Sequence, residues 1–184
     1  MNPLLTTWHD EHVSFGRLLA VLEAQMDAFR RDEEPSYDLL VEIVDYLRHF
    51  ADVYHHPRED AAFRRLLERD PDLRPRIERL LHEHRVIAQA GAELLTRLQE
   101  ARVGAMQPRA ALESAAATYL VYYRHHIATE ERELLPLAAS RLDDRDWAAV
   151  RAAAPAADDP LRADAPGARF AALRREIAAV GRAT

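Results

Sequence analysis

Two short stretches hold the residues of this chain most able to do chemistry: "YHHPRED" at Tyr54–Asp60 and "RHHIATEE" at Arg124–Glu131. In each, a histidine is followed four positions on by a glutamate, His55 by Glu59 and His126 by Glu130, a spacing that puts both on one helix face. Two further histidines, His12 and His84, each directly follow a glutamate and stand among apolar neighbours. His12 and His55 are 43 residues apart, and His84 and His126 are separated by one residue fewer. Aligning Glu11-His12 with Glu83-His84 brings the two halves of the chain into register. The pattern is that of two helix hairpins of the form His … His-x-x-x-Glu, related by an approximate two-fold.

Four imidazoles and two carboxylates at one depth of a helix assembly are unfavourable unless something compensates them. A buried polar group without a partner costs about 1–3 kcal/mol, and a charge costs more. A lone histidine on an apolar seam is ordinarily a core residue bonded to a carbonyl, but six groups at matching offsets in two copies are not explained that way. Two metal ions would satisfy all six, which makes His12, His55, Glu59, His84, His126 and Glu130 the candidate ligands. Imidazole with carboxylate suits iron, manganese or zinc. Each ion would take two histidines, both glutamates would bridge, and an oxo or hydroxo bridge would complete five ligands. The remaining position would admit a small diatomic ligand, dioxygen or nitric oxide. The rival expectation is an oxidoreductase that uses the same centre to oxidise ferrous ion or to reduce peroxide or nitric oxide. No substrate-recognition element is evident, so binding is favoured over catalysis.

Composition narrows the field further. At 184 residues and 48% hydrophobic content, one domain with a real core is expected. The absence of cysteine excludes disulfides, thiolate catalysis and cysteine-held clusters. All 25 basic side chains are arginine, so Schiff-base chemistry and a P-loop are excluded as well. A net charge of −6 with no separate basic block argues against nucleic acid as a partner. No apolar run approaches the roughly 18 residues of a membrane span, and no leader is recognisable, so the expected compartment is the cytoplasm.

The elements that must position these residues are helical. Glycine is scarce, with five residues, and alanine, leucine, arginine and glutamate dominate. Four long periodic segments are expected to begin at Pro3, Pro35, Pro71 and Pro108, where a missing N–H costs nothing, with Asn2 and Asp70 as N-caps. Their seams run through Leu5, Trp8, His12 and Phe15; Ala51, His55 and Glu59; Leu80, His84 and Ile87; and Tyr123, His126 and Glu130. Short connections predict an all-α, up-down-up-down four-helix bundle over residues 1–141. Residues 142–184 would form a C-terminal helical extension packing on it. That extension would comprise a short helix capped by Asp143 or Asp144 and a closing helix presenting Phe170, Leu173, Ile177 and Val180.

Pro57 falls between His55 and Glu59 and deletes the bond to the Val53 carbonyl, so a kink or π-type turn is expected there. His9, His82, His56 and His125 are expected to be supporting or surface residues; the last two adjoin ligands but point about 100° away on an α-helix. Glu11 and Glu83 are expected to orient imidazoles or face solvent. Tyr54, Tyr119, Tyr122 and Tyr123 gather near the fourth-segment histidine, as packing groups or as partners of a bound ligand.

These motifs resemble the hemerythrin-like, HHE cation-binding domains. The matching elements are "DEH" at Asp10–His12, "HHPRED" at His55–Asp60, "HEH" at His82–His84 and "HHIATEERELLP" at His125–Pro136, over roughly residues 4–141. "DDPL" in the tail is similar to longer bacterial members. The resemblance implies a four-helix bundle with a non-haem di-iron centre on the same six residues. Oxygen carriers of the family have a further histidine where this chain has Ala88. They also place the fourth-helix acid at the position of Glu131, whereas the internal repeat favours Glu130. The chain is thus more similar to the four-histidine, two-glutamate branch, which includes proteins of nitrosative stress and iron-centre repair. Those relatives often carry a cysteine-containing domain, and this chain has no cysteine.

Overall fold

The computed structural model describes residues 2–154, 159–161, 170 and 173–175, and among them there is no strand. The first helix, α1 (Pro3–Arg30), starts as its proline suggests, with the Asn2 side chain accepting from the Leu4 N–H at 3.0 Å. The second rod starts two residues later than expected. Ser36 rather than Pro35 sets its beginning, because the Ser36 hydroxyl caps α2 (Tyr37–Tyr46). A π-helical segment, Leu47–His55, follows without a break, and α3 (His56–Arg69) continues the rod.

The third rod also differs at its start. Asp70 caps a single 3-10 turn, Pro71–Leu73, and α4 (Arg74–Arg102) begins only after it. The fourth rod is α5 (Arg109–Thr129), a second π segment at Glu130–Leu134, and α6 (Leu135–Arg141). A last helix, α7 (Asp144–Ala153), opens with a capping box formed by Asp143 and Asp146. Helix α4 lies against α2, α3 and α5, while α1 packs on α2 and α5.

Proline explains both π segments. Pro57 cannot donate to the Val53 carbonyl, and the His56 N–H preceding it reaches back five residues to the Ala51 carbonyl. The π-type turn expected at Pro57 is therefore present. Pro136 acts in the same way on the fourth rod, where the Leu135 N–H bonds to the Glu130 carbonyl. The two wide turns stand at the level of the two histidine–glutamate pairs.

The core is divided in two by that level. On one side, Phe15, Leu19, Leu22, Leu47, Phe50, Leu94, Tyr119 and their neighbours form an apolar cluster; on the other, Leu5, Trp8, Phe63, Leu66, Leu80, Leu134 and others form a second. The layer between them is polar. Described residues of the tail pack onto both clusters. Trp147 of α7 meets Trp8 with ring centroids 6.0 Å apart, and Phe170 meets Tyr46 at 5.5 Å. Leu173 is fully buried, while Ile177 and Val180 lie outside the described residues. No described helix is long and apolar enough to cross a membrane.

Candidate metal centre

All six candidate side chains meet in the polar layer, and all are buried. His12 comes from α1, His55 from the end of the first π segment, Glu59 from the first turn of α3, and His84 from the middle of α4. His126 lies near the end of α5, and Glu130 opens the second π segment. The Nε2 atoms of His12 and His55 face each other at 2.9 Å. For two neutral imidazoles that approach is a hydrogen bond only if one nitrogen carries the proton. It is also the separation, about 3.0 Å, of two nitrogens at right angles on an ion about 2.1 Å from each.

The carboxylates lie between the histidine pairs. Glu59 places Oε1 3.3 Å from His12 and Oε2 3.2 Å from His55 and 3.8 Å from His84, all at Nε2. Glu130 places Oε2 3.4 Å from His12 and 3.2 Å from His126, and Oε1 3.4 Å from His84, again at Nε2. Each glutamate therefore touches imidazoles of both halves of the repeat. These contacts are close but poorly directed. All four carboxylate oxygens, with Nε2 of His84 and His126, are buried without a hydrogen-bond partner. Six such atoms converging on one place are the residue pattern that a pair of cations satisfies. The groups His12, His55, Glu59 and Glu59, His84, His126, Glu130 each bring potential ligand atoms within 4.8 Å of one another.

The far side of every ring is held by an acid. Nδ1 of His12 lies 2.7 Å from Glu131 and that of His55 2.6 Å from Glu11. Nδ1 of His84 lies 2.7 Å from Asp60, and that of His126 lies 3.4 Å from Glu83. A carboxylate only accepts, so each Nδ1 carries its proton towards the acid and leaves Nε2 pointing into the site. The pairing respects the repeat. Glu11 and Glu83 serve the next histidine of their own half, while Asp60 and Glu131, each just after a central glutamate, serve a histidine of the other half. Arg58 supports Glu11 through contacts of 3.1 Å to both oxygens. Asp60 and Glu131 were not foreseen as imidazole partners, although the repeated acid after Glu59 and Glu130 is a signal for them.

Electrostatics follow from this enclosure. Burial lowers the His12 pKa, but Glu130, Glu131 and Glu59 outweigh it and hold the imidazole well above its ordinary value. Burial is likewise overcome at His55 by Glu59 and Glu11, and at His84 by Asp60 and Glu130, which bring it to about 10. Burial would raise Glu59 and Glu130, yet the facing imidazoles keep Glu59 well below the usual range and Glu130 at about 2. The carboxylates thus favour the protonated forms of His12, His55 and His84, and the imidazoles favour the ionised forms of Glu59 and Glu130.

The remaining candidates separate clearly. His125 is exposed, His82 contacts Arg85, and His9 is exposed with its Nδ1 3.0 Å from Glu131. His56 corrects the expectation of a ring turned away. It is buried, its ring lying 4.2 Å from that of His84 at only 14° between planes. The π segment widens the turn, so His55 and His56 both face inward. Tyr119 and Tyr123 are buried with unpartnered hydroxyls, Tyr122 is exposed and Tyr54 is half-buried.

The family model of the hemerythrin HHE cation binding domain matches residues 4–138. No curated protein and no solved structure gives a match to the chain.

Proposed function

This chain belongs to the hemerythrin HHE cation-binding domain family, and from that premise we propose that it is a non-haem di-iron protein that binds or senses a small ligand such as dioxygen or nitric oxide. The observation that carries the proposal is the set of unpartnered, buried carboxylate oxygens of Glu59 and Glu130 lying between two histidine pairs. His12 and His55 would hold one ion, His84 and His126 the other, and the two glutamates would bridge. When bound, the ions supply Lewis-acidic, redox-active positions for the small ligand.

The chain's own residues prepare that site in three ways. Glu131, Glu11, Asp60 and Glu83 fix the tautomer and rotation of the four imidazoles and raise their basicity. Phe15, whose ring lies 5.0 Å from that of His55, and Trp8 close the layer from the two apolar clusters and exclude water. Six protein groups shared between two ions leave coordination capacity for an outside ligand, which supports binding over a purely structural role.

The test is anaerobic titration of the purified protein with ferrous ion, followed by elemental analysis and exposure to air. The expected result is two ions per chain and a reversible spectral change with dioxygen or nitric oxide. Repeated turnover of ferrous ion, peroxide or nitric oxide would favour the oxidoreductase reading. A protein that takes up no iron after reconstitution would end the proposal.

A further inference from the structure

Among the described residues, His56 is the one buried histidine of the polar layer outside the six, and its ring orientation decides what it can do. A ring nitrogen of His56 lies within 4.8 Å of nitrogens of His84 and His126, close enough to suggest a third imidazole on their ion. The ring planes argue otherwise. An imidazole lone pair lies in the plane of its ring, so two imidazoles on one ion at right angles either cross steeply or collide edge to edge. The rings of His12 and His55 cross at 68° with centroids 4.8 Å apart, and those of His84 and His126 at 73° and 4.5 Å. Those values suit two ligands of a common ion. The rings of His56 and His84 are nearly parallel, 14° apart at 4.2 Å, so an ion in the plane of His84 lies well outside the plane of His56.

A parallel neighbour has a different use. An ion held by His84 and His126 would leave room for an outside ligand on the side where His56 is stacked. A ligand atom taken up there would lie beside the His56 ring, a nitrogen of which is within 4.8 Å of nitrogens of His84 and His126, close enough for that nitrogen to hydrogen-bond it. Nδ1 of His56 lies 3.4 Å from Asp52, one helical turn earlier, without a directed hydrogen bond.

We propose, building on the di-iron reading above, that His56 is a specificity-determining residue that hydrogen-bonds the outside ligand on the ion held by His84 and His126, and is not itself a ligand of that ion. The ligands it selects are small ones with a negatively polarised accepting atom. The ring of Tyr123 also lies 6.0 Å from that of His56. Pro57 belongs to the device as well, because the wide turn before it brings His56 inward.

The test uses the full chain loaded with two ferric ions and azide as the probe, with metal content and azide affinity measured separately. His56→Phe keeps an aromatic ring on His84 but removes the nitrogen; His56→Gln restores an N–H. The expected result is two irons in all three proteins, azide binding weakened about tenfold to a hundredfold by Phe, and substantial recovery with Gln. Loss of one iron in His56→Phe would overturn the proposal by making His56 a metal ligand. Unchanged azide affinity with full metal would overturn it as well. If His56→Phe does not fold, the azide stretching frequency of the wild-type protein in light and heavy water decides, because a hydrogen-bonded azide shifts and a free one does not. Failure of the wild type to hold two irons would strike the di-iron reading itself, which the metal measurement registers separately from the azide result.

Discussion

Glu131 lies 2.7 Å from Nδ1 of His12, on the side of the ring away from the polar centre, while the adjacent Glu130 approaches Nε2 of the same ring at 3.4 Å. Consecutive acids thus grip one imidazole from opposite edges, and the second π segment is what lets them do so. Glu130 has both oxygens buried in the layer, whereas Glu131 is partly exposed and also meets His9.

Glu131→Ala is therefore expected to keep both ions but bind them about 10–100 times more weakly, as removal of a carboxylate behind a histidine ligand generally does. Competitive titration with a chelator measures this. Complete loss of the ion pair in this variant would reassign the fourth-rod ligand from Glu130 to Glu131.

Glu59→Ala and Glu130→Ala are each expected to abolish two-ion loading, because each carboxylate lies between both histidine pairs. Elemental analysis after anaerobic reconstitution gives the stoichiometry. Two irons per chain in either variant would refute the bridging role.

Uptake of metal should release protons. In the metal-free protein, His12 and His55 are raised above the ordinary 6.5 and His84 reaches about 10, so these rings hold protons more tightly than free imidazoles do. Ions displace on the order of two protons or more, and apparent affinity climbs with pH. Calorimetry in buffers of different ionisation enthalpy counts them; proton-silent uptake at neutral pH would contradict the assignment.

The metal-free protein should show the opposite trend in stability. The raised histidines stabilise the fold fully below 6.5 and lose that contribution as pH rises towards about 10. The depressed carboxylates contribute fully above the ordinary 4.5 and lose it as pH falls towards about 2. Thermal unfolding of the metal-free protein is thus expected to peak between those ordinary values, at mildly acidic pH. A maximum above pH 8 would show the imidazoles to be neutral when empty.

Trp147→Ala should cost about 3–5 kcal/mol, the usual range for removing a buried Trp or Phe, since Trp147 fills the space against Trp8. Denaturant unfolding measures the loss. The iron stoichiometry is expected to survive, because Trp147 packs in the apolar cluster of Trp8; its loss in a folded variant would tie the tail to the centre.

Much of this protein follows from sequence alone because residues three and four apart on a helix share a face whatever surrounds them. That rule makes the four seams, the His55/Glu59 and His126/Glu130 pairs, and the repeat legible without coordinates. Local covalent chemistry is equally portable, and the missing N–H of Pro57 announced a widened turn. What lay beyond sequence was decided by how the rods are rotated and at what heights they pack. Whether Asp60 reaches His84 or solvent, and whether Glu131 clasps His12, depends on contacts between residues 24 and 119 positions apart. The inward turn of His56 is of the same kind. A constant 100° per residue points it away, and only the extra residue of the π turn, packed against α4, brings its ring onto His84.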